Sequence, residues 1–191
     1  MAERIALAAA GEGISAVAVR PHLVWGPGDE QLVGRIVERA RTGRLAIVGS
    51  GAALVDTTYI DNAADALVAA ADRAPEISGR ALVVSNGQPR PIGELIDRIV
   101  AAAGLPAPSV HVPPTVARLG GLLLERWWSA AGRIDDPPMT SFLAEQLSTA
   151  HWFDQRASRR LLDWQPLVGL DEGFRRLGEW FGGDSRGVGA T

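Results

Sequence analysis

The chain has 191 residues, 47% of them hydrophobic and 21% charged, with a formal net charge of -3 and a pI near 5.6. This is a globular composition, long enough for one domain core, and its weakly acidic balance gives no general field that would attract nucleic acid. All nineteen basic residues are arginine and there is no cysteine, which excludes disulfides, thiolate metal sites and any lysine or cysteine nucleophile.

Met1-Ala2-Glu3-Arg4 runs directly into an amphipathic segment, so no secretory signal is read and a cytoplasmic location is expected. Residues 2–10 are expected to be helical, and Ser15–Val19 (SAVAV) fits a short buried strand. The stretch RPHLVWGPGD, Arg20 to Asp29, follows. A turn needs only its glycines and proline, so the bulky residues between them point to something held there.

Leu32, Val33, Ile36, Val37 and Ala40 share a helical face, and Gly43 stops that helix. Leu45–Val48, the turn GSGA and Leu54–Ile60 read as a hairpin bent at Gly49 and Gly51. Asp61 is placed to cap the alanine-rich helix that follows to about Arg73, and Arg80–Ser85 is a further strand. Ile92, Leu95, Ile96, Ile99, Val100 and Ala103 give the clearest helical period in the chain.

The longest uncharged run, Ile99–Ala117, approaches the roughly 20 residues of a membrane span. Pro106, Pro108, Pro113 and Pro114 break it into a helix end, a loop and a short strand. Helices are then expected over Thr115–Trp128 and Thr140–Leu147, with the acidic link DDPP between them. A short helix capped by Asp154 runs through Leu162, and Leu170, Phe174, Leu177 and Phe181 stripe a last one. The glycine-rich residues 182–191 read as a flexible tail.

Chemistry-bearing motifs are few. Asp135 and Asp136 adjoin two prolines and read as a solvated link. His22, His111 and His151 are too far apart in sequence for a metal motif, so no metal is expected. No strand, glycine-rich loop and helix occur in the order that seats a dinucleotide pyrophosphate; Gly11 and Gly13, or Gly49 and Gly51, read as turns.

Taken in order, RPHLVWGPGD, GRLAIVGSGAALVDTTYIDNAADAL, GRALVVSNGQPRPIGELIDRI, PPMTSFLAEQLSTAHWFDQRASRRLLDWQP and LDEGFRRLGEW resemble the C-terminal half of an extended short-chain dehydrogenase/reductase. The likeness is strongest to the branch of 3β-hydroxysteroid dehydrogenase/isomerases and related sterol and 2-alkyl-3-oxoalkanoate reductases, and runs from Ala2 to Phe181. It implies an α/β fold, the C-terminal part of a Rossmann-type dehydrogenase: its last core strands plus the smaller substrate-binding lobe, over residues 1–181. The glycine-rich half and the catalytic Ser or Thr, Tyr and Lys would then lie before Met1. Tyr59, the only tyrosine, is followed four residues on by Ala63, and without lysine no Tyr-x-x-x-Lys exists. The chain is therefore expected to be a truncated, mis-started or excised half with no catalytic residue of its own.

By the same resemblance, Pro21, His22, Leu23 and Val24 meet the nicotinamide end of NAD or NADP, and the prolyl carbonyl is left free to accept. Trp25, Tyr59, Asn62, Trp127 and Trp128 are the expected substrate contacts. Sugar-nucleotide relatives carry an arginine before the aspartate of GSGAALVDTTYIDN. Here Val55 precedes Asp56, which offers no fork for a diphosphate. The implied activity is NAD(P)-dependent oxidation or reduction of a hydroxyl or keto group on a steroid-like or long-chain lipid. A sugar-nucleotide epimerase or dehydratase relative and a non-catalytic binding module are the alternatives. The expected partners are a small lipid-like substrate, the missing N-terminal half and, compatibly, a second copy as a homodimer. Leu119, Leu122, Leu123 and Leu124, with Trp127 and Trp128, are open to two roles, pocket wall or lobe core, and the tryptophan pair to a third, a helix at a membrane surface beside Arg126 and Arg133.

Overall fold

The computed structural model describes residues 2–11, 13–130 and 149–187. Its elements are α1 (Ala2–Ala8), β1 (Ala18–Pro21), β2 (Val24–Trp25), α2 (Val33–Arg41), β3 (Ile47–Val48), β4 (Leu54–Val55), β5 (Thr58–Tyr59), α3 (Ile60–Asp72), β6 (Ala81–Val84), β7 (Arg90–Pro91), α4 (Ile92–Ala102), β8 (His111–Val112), α5 (Pro114–Ala130), α6 (Arg156–Leu162) and α7 (Leu170–Gly187). The class is α/β, as the order of apolar runs and helical stripes implies.

β1 and β6 pair in parallel, with Ala18 opposite Ala81 and Pro21 opposite Val84. Parallel strands need a crossover, and α3 supplies it. Its buried face is Asn62, Ala63, Ala66 and Ala70, small residues at helical spacing that let the backbone lie close to the strands. Ala66 and Ala70 join Leu82, Val84, Leu162 and Trp164 in one core. A second core unites Trp25, Val33, Val37, Tyr59, Leu95, Ile99, Phe174 and Leu177, where α2, α4 and α7 meet.

The quoted loop has a local reason for its last residue. Both carboxylate oxygens of Asp29 take backbone N–H donors at the start of α2: Oδ1 accepts from Gln31 and Leu32 at 2.8 and 3.1 Å, and Oδ2 from Val33 at 3.0 Å. An anion at a helix N-terminus satisfies donors that the helix itself cannot.

Several expectations need correction. The hairpin does not form: β3 pairs in parallel with β8, β4 antiparallel with β7, and β5 in parallel with β2. Gly49 and Gly51 do take positive φ, 71° and 73°, but they turn the chain toward partners distant in sequence. The first strand is displaced from Ser15–Val19 to Ala18–Pro21, and α1 stops at Ala8. Asp61 lies inside the first turn of α3 rather than at its cap and bonds to Arg176 at 2.9 Å. Asp154 accepts the Arg156 N–H at 3.0 Å one residue before the assigned cap, Gln155. The last helix continues past Phe181 to Gly187, into the expected tail. The expected helix Thr140–Leu147 and the pair Asp135 and Asp136 lie outside the described residues.

Candidate functional site

Pro21 ends β1 at the C-terminal edge of the parallel pair, the side on which open α/β sheets bind ligands. The amide groups of Ala18 and His22 donate to Arg80 and Val84 of the β6 side at 2.8 and 2.9 Å. Backbone groups alternate along a strand, so Val19 and Pro21 turn theirs to the opposite edge, where the described residues place no strand. The prolyl carbonyl is thus presented outward with no donor of its own beside it.

The next residue but one is strained. Leu23 has φ 42°, in the left-handed region, and is 38% exposed. Thr58 holds it there: its Oγ1 donates to the His22 carbonyl at 2.7 Å, and its N–H to the Leu23 carbonyl at 3.2 Å. A non-glycine residue in this conformation costs about 1–2 kcal/mol and persists only where its surroundings fix it. Val24, half-buried, pairs with Thr58 in the β2–β5 ladder.

Trp25, Tyr59 and Asn62 are placed differently. The Trp25 indole N–H donates to Thr57 Oγ1 at 3.0 Å, and its ring stacks on Phe174 at 4.4 Å and meets Tyr59 edge-on at 5.5 Å. Both aromatics are only 2% exposed. Burial, with Asp61 adding to it, pushes the Tyr59 hydroxyl above its ordinary value, which keeps it protonated and makes it a weaker acid. Asn62 is wholly buried, and its carboxamide is spent on Asn86, Leu167 and Val168. These three side chains build the floor of the loop. An apolar recess of about 330 Å³ lies against Trp25, lined by Val24, Trp25, Gly26, Pro27, Gly28, Asp29 and Ile60.

Trp127 and Trp128 lie on α5, and their side chains fall outside the described residues. The preceding turns of that helix expose Val116, Leu119, Leu122 and Leu123. No described helix is long and apolar enough to cross a membrane. Among the described residues no three His, Asp or Glu side chains gather as a metal site.

A polar network beneath β1 and β6 was not legible beforehand. Asp56 is fully buried and accepts from Ser85 Oγ and from the Gln88 N–H; Gln155 Oε1 accepts the Ser85 N–H at 3.1 Å. The backbone of His151 is tied to β4 on both sides, donating to Leu54 at 2.7 Å and accepting from Asp56 at 2.8 Å. Its ring faces His22 with centroids 6.4 Å apart, and Phe153 meets His22 edge-on at 4.8 Å. The signal available in sequence was the isolated Asp56 between apolar runs; its partners lie 29 or more residues away.

Residues 1–114 match the model of the 3-beta hydroxysteroid dehydrogenase/isomerase family. The chain is 46% identical over 180 residues to a 2-alkyl-3-oxoalkanoate reductase of Stenotrophomonas maltophilia, covering 93% of this chain and 54% of that protein. It is 29% identical to the human sterol-4-alpha-carboxylate 3-dehydrogenase, decarboxylating, covering 86% of this chain and 46% of that one. The chain thus spans about half the length of the curated relatives it matches. Among solved structures, the epimerase Mth375 of Methanothermobacter thermautotrophicus superposes with a TM-score of 0.65 at 22% identity, over 97% of this chain and 49% of that one. The UDP-glucuronic acid 4-epimerase of Bacillus cereus, in complex with NAD, gives 0.59 at 20% identity, over 89% and 45%. The solved structures assign the fold as α/β of Rossmann type.

Proposed function

The chain belongs to the 3-beta hydroxysteroid dehydrogenase/isomerase family, and we propose that it forms the substrate side of an NAD(P)-dependent oxidoreductase that interconverts a hydroxyl and a keto group on a steroid-like or long-chain lipid. The observation that carries this reading is the outward-facing end of β1. Pro21 presents an unpaired carbonyl edge at the C-terminal end of the parallel pair, and Leu23 a strained, exposed side chain, with Thr58 holding the carbonyls of His22 and Leu23. The relatives' names, a reductase of 2-alkyl-3-oxo acids and a dehydrogenase of sterol carboxylates, support a lipid substrate. Val55, where a guanidinium fork would serve a diphosphate, supports it over a nucleotide sugar.

The residues present fit one end of the cofactor only. Pro21 and Leu23 would border the nicotinamide, with the Pro21 carbonyl accepting from its carboxamide. The His22 and Val24 side chains are half-buried and support the loop from behind. Among the described residues no loop suits a pyrophosphate, and with no lysine in the chain no Tyr-x-x-x-Lys can deliver the proton. When bound, NAD(P) supplies or accepts the hydride. This chain's residues orient its ring and, through the recess over Trp25 and Ile60, hold apolar substrate against it while excluding water.

Leu23→Asp tests the placement. Aspartate tolerates positive φ, so the fold is kept while a negative charge is set beside the nicotinamide. In an assembled enzyme the KM for NAD(P)H rises with the melting temperature unchanged. An unaltered KM removes the loop from the cofactor site.

A further inference from the structure

Among the described residues, Leu23 and Asp163 are the non-glycine positions with positive φ, at 42° and 49°. Asp163 closes α6, where that conformation is common and a short polar side chain tolerates it. Neither reason applies to Leu23, which ends no helix and is branched and apolar. Its restraint comes from one residue. The His22–Leu23 and Leu23–Val24 peptide planes meet at the Leu23 Cα, and their orientation about it is its φ and ψ. Thr58 holds the first plane through Oγ1, which donates to the His22 carbonyl at 2.7 Å, and the second through its own N–H, which donates to the Leu23 carbonyl at 3.2 Å. The plane before these carries the Pro21 carbonyl and the His22 N–H, and that N–H donates to the Val84 carbonyl at 2.9 Å. Thr58 Oγ1 stands 3.1 Å from the same Val84 oxygen. A hydroxyl has one proton to give. The His22 carbonyl lies at the ordinary O–H···O length, while the Val84 carbonyl is farther away and already served.

We propose that Thr58 is a positioning residue for the nicotinamide: by holding both peptide planes that meet at Leu23, it fixes the edge from Pro21 to Leu23 against which the cofactor ring rests. This rests on the oxidoreductase reading above and adds to it a residue that acts without touching either reactant. Thr58 is wholly buried, so its influence runs through the loop alone. The strain at Leu23 and the free energy of one buried hydrogen bond are of the same order, and the hydroxyl therefore decides which conformation the loop keeps. Without it the His22–Leu23 plane is released and Leu23 returns to negative φ. The Leu23–Val24 plane meanwhile stays on the Thr58 N–H beside the β2–β5 ladder. The rotation moves the exposed Leu23 side chain and leaves the core beneath it in place. Hydride transfer is sensitive to displacements of about 1 Å in the bound ring, so a loop turned at Leu23 weakens the hold on the cofactor and slows the transfer.

The test separates the hydroxyl from the shape of the side chain. Thr58→Val keeps the branched volume and removes the donor, Thr58→Ala is a second variant without it, and Thr58→Ser keeps it. Ser158→Ala is the control for stability: it removes another buried hydroxyl, bonded to the Val83 carbonyl at 2.6 Å, next to the loop's anchor on Val84. In the 191-residue chain, NMR couplings that report φ should show a positive value at Leu23 in the wild type, Thr58→Ser and Ser158→Ala, and a negative one in Thr58→Val and Thr58→Ala. In the chain joined to a polypeptide carrying the glycine-rich half, Thr58→Val should raise the KM for NAD(P)H about tenfold and lower kcat by a similar factor, with Thr58→Ser within about twofold of the wild type. Positive φ retained at Leu23 without the hydroxyl overturns the proposal. So does an equal kinetic loss in Ser158→Ala, or a Leu23 that turns as expected in Thr58→Val while KM and kcat stay unchanged. If the joined wild-type protein shows no saturable dependence on NAD(P)H, the oxidoreductase reading itself falls, and the cofactor role of Thr58 with it.

Discussion

The side-chain amide of Asn62 donates to Asn86 Oδ1 at 3.0 Å and to the Val168 carbonyl at 2.7 Å, while Asn86 donates to that same carbonyl at 2.8 Å. Asn62 Oδ1 meanwhile accepts the N–H groups of Leu167 and Val168 at 3.0 and 2.9 Å. One buried carboxamide thus joins α3, the turn after β6 and the entry to α7. Asn62→Ala leaves several buried donors and acceptors unpaired. At about 1–3 kcal/mol for each unsatisfied group, a loss of about 3 kcal/mol or more is expected in urea unfolding. A loss below about 1 kcal/mol contradicts the role.

Gly173 sits where α7 crosses the aromatic floor. A Cβ there would stand 2.8 Å from the Tyr59 ring and 3.1 Å from Trp25, both fully packed. Gly173→Ala is expected to destabilise the chain by about 1–3 kcal/mol through overpacking. Gly183→Ala, ten residues on and open on all sides, is expected to stabilise by about 0.5–1 kcal/mol through helix propensity alone. Thermal unfolding of the two variants checks the opposite signs.

The His22 imidazole is held below its ordinary value of 6.5 by burial and by His151, with Asp56 opposing. The unfolded chain therefore takes up the proton first. This contribution to stability is complete above about pH 6.5 and is lost as pH falls below it. Melting temperature measured from pH 8 to 5 should drop in the wild type and drop less in His22→Gln. Parallel curves contradict the assignment.

Glu172 lies in the first turn of α7, and its bonds to Arg175 and then Arg176 hold its carboxyl down to about 2. A depressed carboxylate stabilises the fold above its ordinary value of 4.5 and ceases to do so as pH falls toward 2. The side chain is exposed, so salt screens the effect. A carbon-detected titration of Glu172 should give a midpoint well below 4.5 at low salt and closer to it at 1 M salt. A midpoint of 4.5 at low salt contradicts the pairing.

The uneven legibility of the sequence has physical causes. The stripe from Ile92 to Ala103 was readable because a helix satisfies its backbone locally, and α4 spans Ile92–Ala102. The loop RPHLVWGPGD announced itself because proline and glycine constrain single residues. Strand pairing did not: Ile47 and Val48 find His111 and Val112 more than sixty residues away, and nothing near Gly49 distinguishes that from a hairpin. Asn62 and His151 were opaque for the same reason. A polar residue looks solvated in sequence whether or not partners such as Asn86, Val168 or Asp56 converge on it in space. The resemblance could name Asn62 but not the carboxamide's full commitment to the protein.

The most direct measurement is NAD(P)H binding and oxidation by this chain, alone and joined to a polypeptide carrying the glycine-rich fingerprint and the Tyr-x-x-x-Lys. Hydride transfer needs cofactor seat, proton donor and substrate pocket in one place, and under the proposed function the residues here provide only the pocket and one edge of the nicotinamide. Alone, residues 1–191 should give no saturable change in NAD(P)H fluorescence at micromolar protein and no oxidation with any 3-oxo acid; joined, they should oxidise NAD(P)H in the presence of a 2-alkyl-3-oxo acid. Tight, saturable dinucleotide binding by a monodisperse monomer of residues 1–191 alone would contradict the account.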